Sequence, residues 1–429
     1  MQQNPWWRDK AELKKDEKII DAFNKKHKHL FQFKEKRNIL WIGPRQVGKT
    51  TFFQLLIYDL IFNKKVDSKK VCYYSCELIR DFREIPELLR KISLISNAKY
   101  IFLDEISFVE NWHKAIKFIL DSGIAKDKVL YLTGSSSLEL RKEKFPGRDI
   151  ETKNFLPLSF REFIKIFGSK KIRNIQPITL TDIKELLKGA KSIIPFKEEL
   201  DYLLLKYTKC GGFPRAFYEL MEKGRIREET YEIYWNWIIN DIAKIERSEK
   251  IAIGVFEGII KNYATKFSLN SIAKEVEIGS HVTVREYLEI LENLFLIRNF
   301  YTYSLDKKRV VFRKMRKTYF IDPFILHAVN FKLRGEPFKD YAMIVEGLIA
   351  ETLARKFNSL NIGFYHGYKE IDVCFKDFGI EVKWQENVDE RNFPRINVKN
   401  KILISKNEFK YNKEKNLLII PASIFLSLV

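Results

Sequence analysis

The residues best suited to chemistry lie between positions 43 and 51. Gly43-Pro44-Arg45-Gln46-Val47-Gly48-Lys49-Thr50 has the GxxxxGK[ST] spacing, and Thr51 follows it. Glycines let successive backbone N–H groups turn toward phosphate oxygens, and a helix opening at Lys49 aims its positive end at the same anion. In that arrangement Lys49 reaches the terminal phosphates and the Thr50 hydroxyl binds Mg2+. Tyr100-Ile101-Phe102-Leu103-Asp104-Glu105 supplies two carboxylates at the end of an apolar run. Asp104 is expected to hold Mg2+ through water, and Glu105 to orient and deprotonate an attacking water. A capping role for the acid pair leaves the four apolar residues before it unexplained.

Further candidates lie downstream. Thr133 or Ser135, after the run Val129-Leu130-Tyr131-Leu132, either senses the terminal phosphate or caps a following helix in SSLELRKE. Arg148, in Phe145-Pro146-Gly147-Arg148, either neutralises transition-state charge, in its own or a neighbouring site, or is a surface arginine. Near the end of the chain Glu346, Asp372, Glu381 and Lys383 form a possible second metal site. The segment resembles the PD-(D/E)xK nuclease pattern, and that resemblance implies Asp372 and Glu381 on adjacent strands as Mg2+ ligands, Glu346 completing the acid cluster, and Lys383 positioning water or stabilising developing charge.

Elements of two kinds must carry these groups. RNILWIG, KKVCYYS, AKYIFLDEI, KVLYLTGSS and IETKNFLPL read as strands, separated by helical segments such as TTFFQLLIYDLIF and NWHKAIKFILDSG. That alternation predicts a parallel five-stranded α/β domain over residues 37–160, after a helical lead-in at 1–36. Within the lead-in, Asn4-Pro5-Trp6-Trp7 either docks its indoles on the next domain or stacks them on a base. Residues 161–255 read as a helical subdomain. Residues 256–335 have helix-turn-helix spacing, Ser268 to Val276 and then Val282 to Phe295, with Tyr287, Leu288, Leu291 and Leu294 inward. A basic run follows, Lys307, Lys308, Arg309, Arg313, Lys314, Arg316 and Lys317. Residues 340–429 return to helix and strands.

The chain has 429 residues, 45% hydrophobic, enough for several cores. Its net charge of +21 suits nucleic acid, but Lys-rich composition alone also produces it. The N-terminus has no secretory pattern and no apolar run reaches membrane-spanning length, so no membrane partner is expected. Four cysteines, Cys72, Cys76, Cys210 and Cys374, match neither a zinc spacing nor a disulfide scaffold, which points to a cytoplasmic protein.

Together NPWW, GPRQVGKT, IFLDEI, LTGSSS, FPGR with LPLSFREFI, and Cys210-Gly211-Gly212-Phe213-Pro214-Arg215 resemble archaeal and bacterial P-loop ATPases of the AAA+/STAND grouping. The resemblance covers nearly the whole chain. It implies a P-loop core, a helical lid, a winged helix and a C-terminal restriction-endonuclease-like domain of the PD-(D/E)xK pattern. It implies ATP and Mg2+ as ligands, Gly212 and Pro214 in an adenine-contacting element, and Arg148 as an arginine finger or sensor. Read from the residues alone, Gly-Gly-x-Pro is equally a helix-breaking turn. The expected function is ATP hydrolysis coupled to movement of the winged helix and nuclease-like module on DNA, with a homo-oligomer possible. The alternatives are an ATP-gated Mg-dependent nuclease and a non-enzymatic switch that acts by assembly.

Overall fold

The computed structural model describes residues 3–25, 37–135 and 145–429, apart from the side chains at 313, 314 and 359. The chain forms two compact units, Met1–Leu156 and Pro157–Val429.

In the first unit all five expected strands form: β1 (Ile39–Gly43), β2 (Val71–Ser75), β3 (Tyr100–Asp104), β4 (Val129–Ser135) and β5 (Glu151–Asn154). They pair in parallel in the order β2-β3-β4-β1-β5. Covering helices bury both faces, so β1, β3 and β4 are buried throughout rather than on alternate residues. Helices α1 (Glu17–Asn24), α2 (Lys49–Tyr58), α3 (Glu84–Ile95) and α4 (Trp112–Asp121) accompany them. A core of Trp41, Phe52, Phe53, Phe102 and Tyr131 lies between α2 and the sheet. Trp6 and Trp7 dock rather than wait for a base: both indole N–H groups donate to Val71 O, at 3.0 and 2.8 Å, and Trp6 is buried. The helix expected in SSLELRKE lies outside the described residues.

The second unit opens with helices α5 (Phe160–Phe167), α6 (Ile183–Ile193), α7 (Lys197–Cys210), α8 (Pro214–Lys223), α9 (Glu228–Lys244) and α10 (Glu249–Lys261). Ser159 and Glu162 close a capping box on α5, which fixes where the helical segment begins. After β6 (Phe267–Ser268) come α11 (Leu269–Glu275) and α12 (His281–Asn293), capped by Ser268 and Ser280. Tyr287, Leu288, Leu291 and Leu294 are all buried, as their spacing predicts. The hairpin β7 (Ile297–Ser304) and β8 (Arg309–Phe320) follows, then α13 (Pro323–Arg334) and α14 (Tyr341–Phe357). The remaining elements are β9 (Gly363–His366), β10 (Glu370–Phe375), β11 (Phe378–Val382), β12 (Asn400–Ser405), β13 (Lys410–Asn412), β14 (Leu417–Pro421) and α15 (Ala422–Leu428).

Segments 161–255, 256–335 and 340–429 lie in one compact unit. The physical reason is a strand pairing that sequence periodicity does not encode. β7 lies parallel to β9, through Tyr301 opposite Gly363, which splices the hairpin into a nine-stranded sheet of order β13-β14-β12-β11-β10-β9-β7-β8-β6.

Candidate functional site

The phosphate loop leaves β1 at Gly43 and enters α2 at Lys49. Gly48 sits at φ +98°, in the left-handed region that favours glycine, and offers no side-chain cap to the helix. The first-turn N–H groups of α2 are therefore directed at the loop without a capping oxygen, the arrangement that receives a phosphate. Lys49 is almost fully buried; its Nζ donates to Gly43 O at 3.1 Å and Pro44 O at 2.9 Å and lies 3.7 Å from Glu105 Oε1. Gln46 also has positive φ, and the Arg45 guanidinium lies over the Phe108 ring.

Parallel pairing brings the tips of β1, β3 and β4 to the same end of the sheet. Asp104 is buried, and both its oxygens accept hydrogen bonds, one from Thr133 Oγ1 and one from Tyr73 Oη at 2.8 Å. Burial, together with Asp104, holds the Tyr73 phenol far above its ordinary pKa, so it remains a donor. Thr133 Oγ1 also accepts from the Glu105 N–H at 2.9 Å, so one hydroxyl fixes both acids. Ser135 Oγ donates to Glu105 Oε2 at 2.6 Å. Burial acts against the Glu105 carboxylate, but Lys49, the Ser135 hydroxyl and Arg45 outweigh it and hold the pKa below the usual range. Glu105 is thus an ionised acceptor at neutral pH, held beside a buried ammonium.

These residues fit a nucleoside triphosphate with Mg2+. The donor set combines a buried lysine, an uncapped helix start, the Thr50 hydroxyl and two strand-tip carboxylates, which is phosphate and magnesium chemistry. Thr50 and Asp104 would hold the ion, which supplies neutralisation of phosphoryl charge.

Arg148 is not brought to this site within the chain. It lies three residues before β5, whose first residue pairs with Ile39 at the start of β1, whereas the phosphate loop follows the end of β1. Its Nε and Nη2 instead make a two-pronged pair with Asp121 at the end of α4, at 2.8 and 2.6 Å. A residue before a parallel strand must lie opposite one that follows its neighbour, so strand order alone carried this signal. Tyr73 was missed because a tyrosine in an apolar run reads as core.

In the second unit Gly211-Gly212-Phe213 is the turn between α7 and α8, with Pro214 opening α8. A Cβ on Gly211 would lie 1.8 Å from Asp322 Oδ1, and one on Gly212 2.0 Å from Leu158 O. Asp322 accepts from the Gly212 N–H and the Phe324 N–H, both at 2.8 Å. Close packing therefore accounts for both glycines. Complete burial raises the Asp322 pKa to about 7, against the pull of those two amides. Because the folded-state value exceeds the ordinary one, its contribution to stability is complete below pH ~4 and is lost as pH rises to about 7. Asp322→Asn is expected to flatten the fall in melting temperature across that range relative to wild type. Identical slopes in the two proteins would refute this account.

The same unit gathers Glu346 from α14, Glu370 and Asp372 from β10, and Glu381 from β11 followed by Lys383. Glu381 Oε1 pairs with Lys383 at 2.8 Å. Among the described residues, no group of three His, Cys, Asp or Glu side chains is arranged to hold a metal ion. Only part of the basic run is exposed. Lys317 and Arg316 are buried, Lys317 against Glu346, Glu370 and Asp372 and Arg316 over the Tyr301 ring; Lys308 pairs with Asp377. Strand alternation sends neighbouring residues to opposite faces, and here both faces are covered. Lys307, Lys308 and Arg309 at the hairpin tip are exposed, and the side chains of Arg313 and Lys314 lie outside the described residues.

All four cysteines are buried and free, and among the described residues no helix is long and apolar enough to cross a membrane.

Residues 35–164 match the AAA domain family, and residues 201–335 match a domain of unknown function (DUF8612). An uncharacterized protein of Methanocaldococcus jannaschii is 30% identical over 353 residues, covering 79% of this chain and 71% of the relative. An uncharacterized protein of Haemophilus influenzae is 27% identical over 365 residues, covering 80% of each chain. Among solved structures, the Aeropyrum pernix ORC1 protein in complex with DNA aligns over 81% of this chain and 94% of that one, at 13% identity and a TM-score of 0.29. With an AAA-type P-loop ATPase domain at its amino-terminal end, the chain belongs to the family of the 30%-identical M. jannaschii protein.

Proposed function

We propose that the protein hydrolyses ATP at the loop formed by Gly43, Pro44, Arg45, Gln46, Val47, Gly48, Lys49, Thr50 and Thr51, and uses turnover to act on DNA. The observation that carries the hydrolytic part is the Lys49, Asp104, Glu105, Thr133 and Ser135 constellation. Lys49 neutralises charge on the terminal phosphate, and Thr133 keeps Asp104 and the Glu105 backbone in place. Ser135 orients the Glu105 carboxylate, which takes a proton from the attacking water. The α11/α12 pair followed by the β7–β8 hairpin supports a winged helix, and exposed Lys307 and Arg309 support phosphate contact at its tip. Arg148, paired with Asp121, has a place in this scheme only toward a neighbouring chain in a homo-oligomer.

Phosphate release with and without linear duplex DNA tests the proposal. Multiple-turnover release that rises several-fold with DNA is the expected result. Release indifferent to DNA removes the coupling, and none at all leaves a non-enzymatic switch.

A second reading, a metal-dependent DNA nuclease, is favoured by the convergence of Glu346, Asp372, Glu381 and Lys383 from one helix and two adjacent strands, which supports a PD-(D/E)xK-like module. Lys317 bears directly on it.

A further inference from the structure

The carboxylates of the second unit surround an ammonium supplied by the chain itself. Lys317 Nζ, on β8, lies 3.0 Å from Glu346 Oε1, 2.9 Å from Glu370 Oε1 and 2.8 Å from Asp372 Oδ1. An ammonium has three N–H donors, and each has a different carboxylate to meet. The Lys317 side chain is 1% exposed, so it is no solvated lysine resting near an acidic patch.

The surrounding hydrogen bonds complete the cage. Tyr319 Oη donates to Glu346 Oε1 at 2.6 Å, the Val382 N–H to Asp372 Oδ2 at 3.0 Å, and Lys266 Nζ to Glu370 Oε2 at 2.6 Å. Glu381 faces the same cluster: burial and Asp372 both push its pKa up. Its Oε2 is buried and meets no hydrogen-bond partner among the described residues. That oxygen is an acceptor the ammonium does not serve.

Distances decide which cation the cage fits. Contacts of 2.8 to 3.0 Å suit an ammonium, whereas Mg2+ binds oxygen at about 2.0–2.1 Å. Lys317 is held by the backbone as well, because β8 pairs with β7 on one side and β6 on the other, with Lys317 opposite Phe300. Removing the ammonium would leave the partly buried carboxylates of Glu346, Glu370 and Asp372 without their shared counter-charge, a state a divalent ion relieves.

We propose that Lys317 is a built-in cation standing where a divalent metal would sit between Glu346 and Asp372, and that the cluster takes up metal only when this side chain is withdrawn. The proposal rests on the nuclease-like reading of the cluster and adds its regulation: the hairpin that carries the basic tip also carries the residue that closes the metal position.

The test is Mn2+ titration of the EDTA-treated, nucleotide-free full chain, followed by the electron paramagnetic resonance signal of free Mn2+. Lys317→Met is expected to bind one Mn2+ per chain more than wild type, and Lys317→Met combined with Asp372→Asn to lose it. Asp372-dependent binding by wild type as tight as that of Lys317→Met overturns the proposal, as does a folded Lys317→Met protein that gains no ion. Should that variant not fold, acetylation of wild type read by mass spectrometry gives the answer. Lys317 is expected to react at least 100-fold more slowly than Lys307, and equal rates overturn the proposal. Linear DNA incubated with Lys317→Met and Mn2+ addresses the nuclease reading separately: metal uptake without cleavage ends that reading and supports the internal cation.

Discussion

Lys49→Ala is expected to abolish nucleotide binding and with it phosphate release, whereas Glu105→Gln is expected to bind ATP and fail to turn it over. The two differ because the residues act at different moments. Lys49 is a buried ammonium whose contacts in the phosphate loop are the Gly43 and Pro44 carbonyls, with Glu105 nearby. Removing it takes away the charge opposed to the bound phosphates. Glu105→Gln keeps the size of the side chain and an oxygen for the Ser135 hydroxyl, but loses the base. Losing one well-placed electrostatic group typically costs roughly 10²–10³-fold in rate. Calorimetric ATP titration beside steady-state phosphate release separates the cases, with a melting curve to show that each variant is folded. A Lys49→Ala protein that turns over ATP like wild type would falsify the assignment.

Glu351→Ala is expected to be the most damaging single change in the second unit for stability, at about 3–5 kcal/mol. Glu351 on α14 is 4% exposed and accepts from Arg298 Nε and Nη2, at 2.6 and 3.0 Å, and from Arg355 Nε at 2.9 Å. Arg355 also donates to Pro157 O and Ile321 O, so it binds the start of the unit to the end of β8. Burial opposes the Glu351 charge, yet the two guanidiniums hold its pKa below the ordinary carboxylate value. Its stabilisation is therefore present above that ordinary value and is lost as pH falls through the lower folded one. Truncation takes the counter-charge from two largely buried guanidiniums, which costs more than the pair contributes on balance. Urea unfolding of the second unit measures it, and a loss below about 1 kcal/mol would show that the guanidiniums find other partners.

What could be read from sequence followed the distance between partners along the chain. The phosphate loop is eight consecutive residues between a strand and a helix, and Asp104 and Glu105 are adjacent, so local pattern was enough. The second acid cluster was legible only as residue types, Glu346, Asp372, Glu381 and Lys383, of which Glu346 and Asp372 meet at one side chain. Its occupant was not. Lys317 stands 29 residues from Glu346 and 55 from Asp372, and in sequence it is one more cation in a basic run. Only the parallel β7/β9 pairing turns that strand toward the acids. Arg148 stayed open for a related reason: a loop arginine has no meaning until the end of the sheet it occupies is known.

The segment Gln3–Trp7 has a consequence beyond anchoring its indoles. β2 is the last strand on its side of the first unit's sheet, and its outward groups fall on alternate residues 71, 73 and 75. Four of these groups are occupied by the segment's side chains: Val71 O by both tryptophans, Tyr73 N and O by the Asn4 side chain, and Ser75 N by Gln3 Oε1. Side chains thus hem the raw border of the sheet without adding a strand, and that border is withheld from the edge-to-edge pairing through which open sheets aggregate.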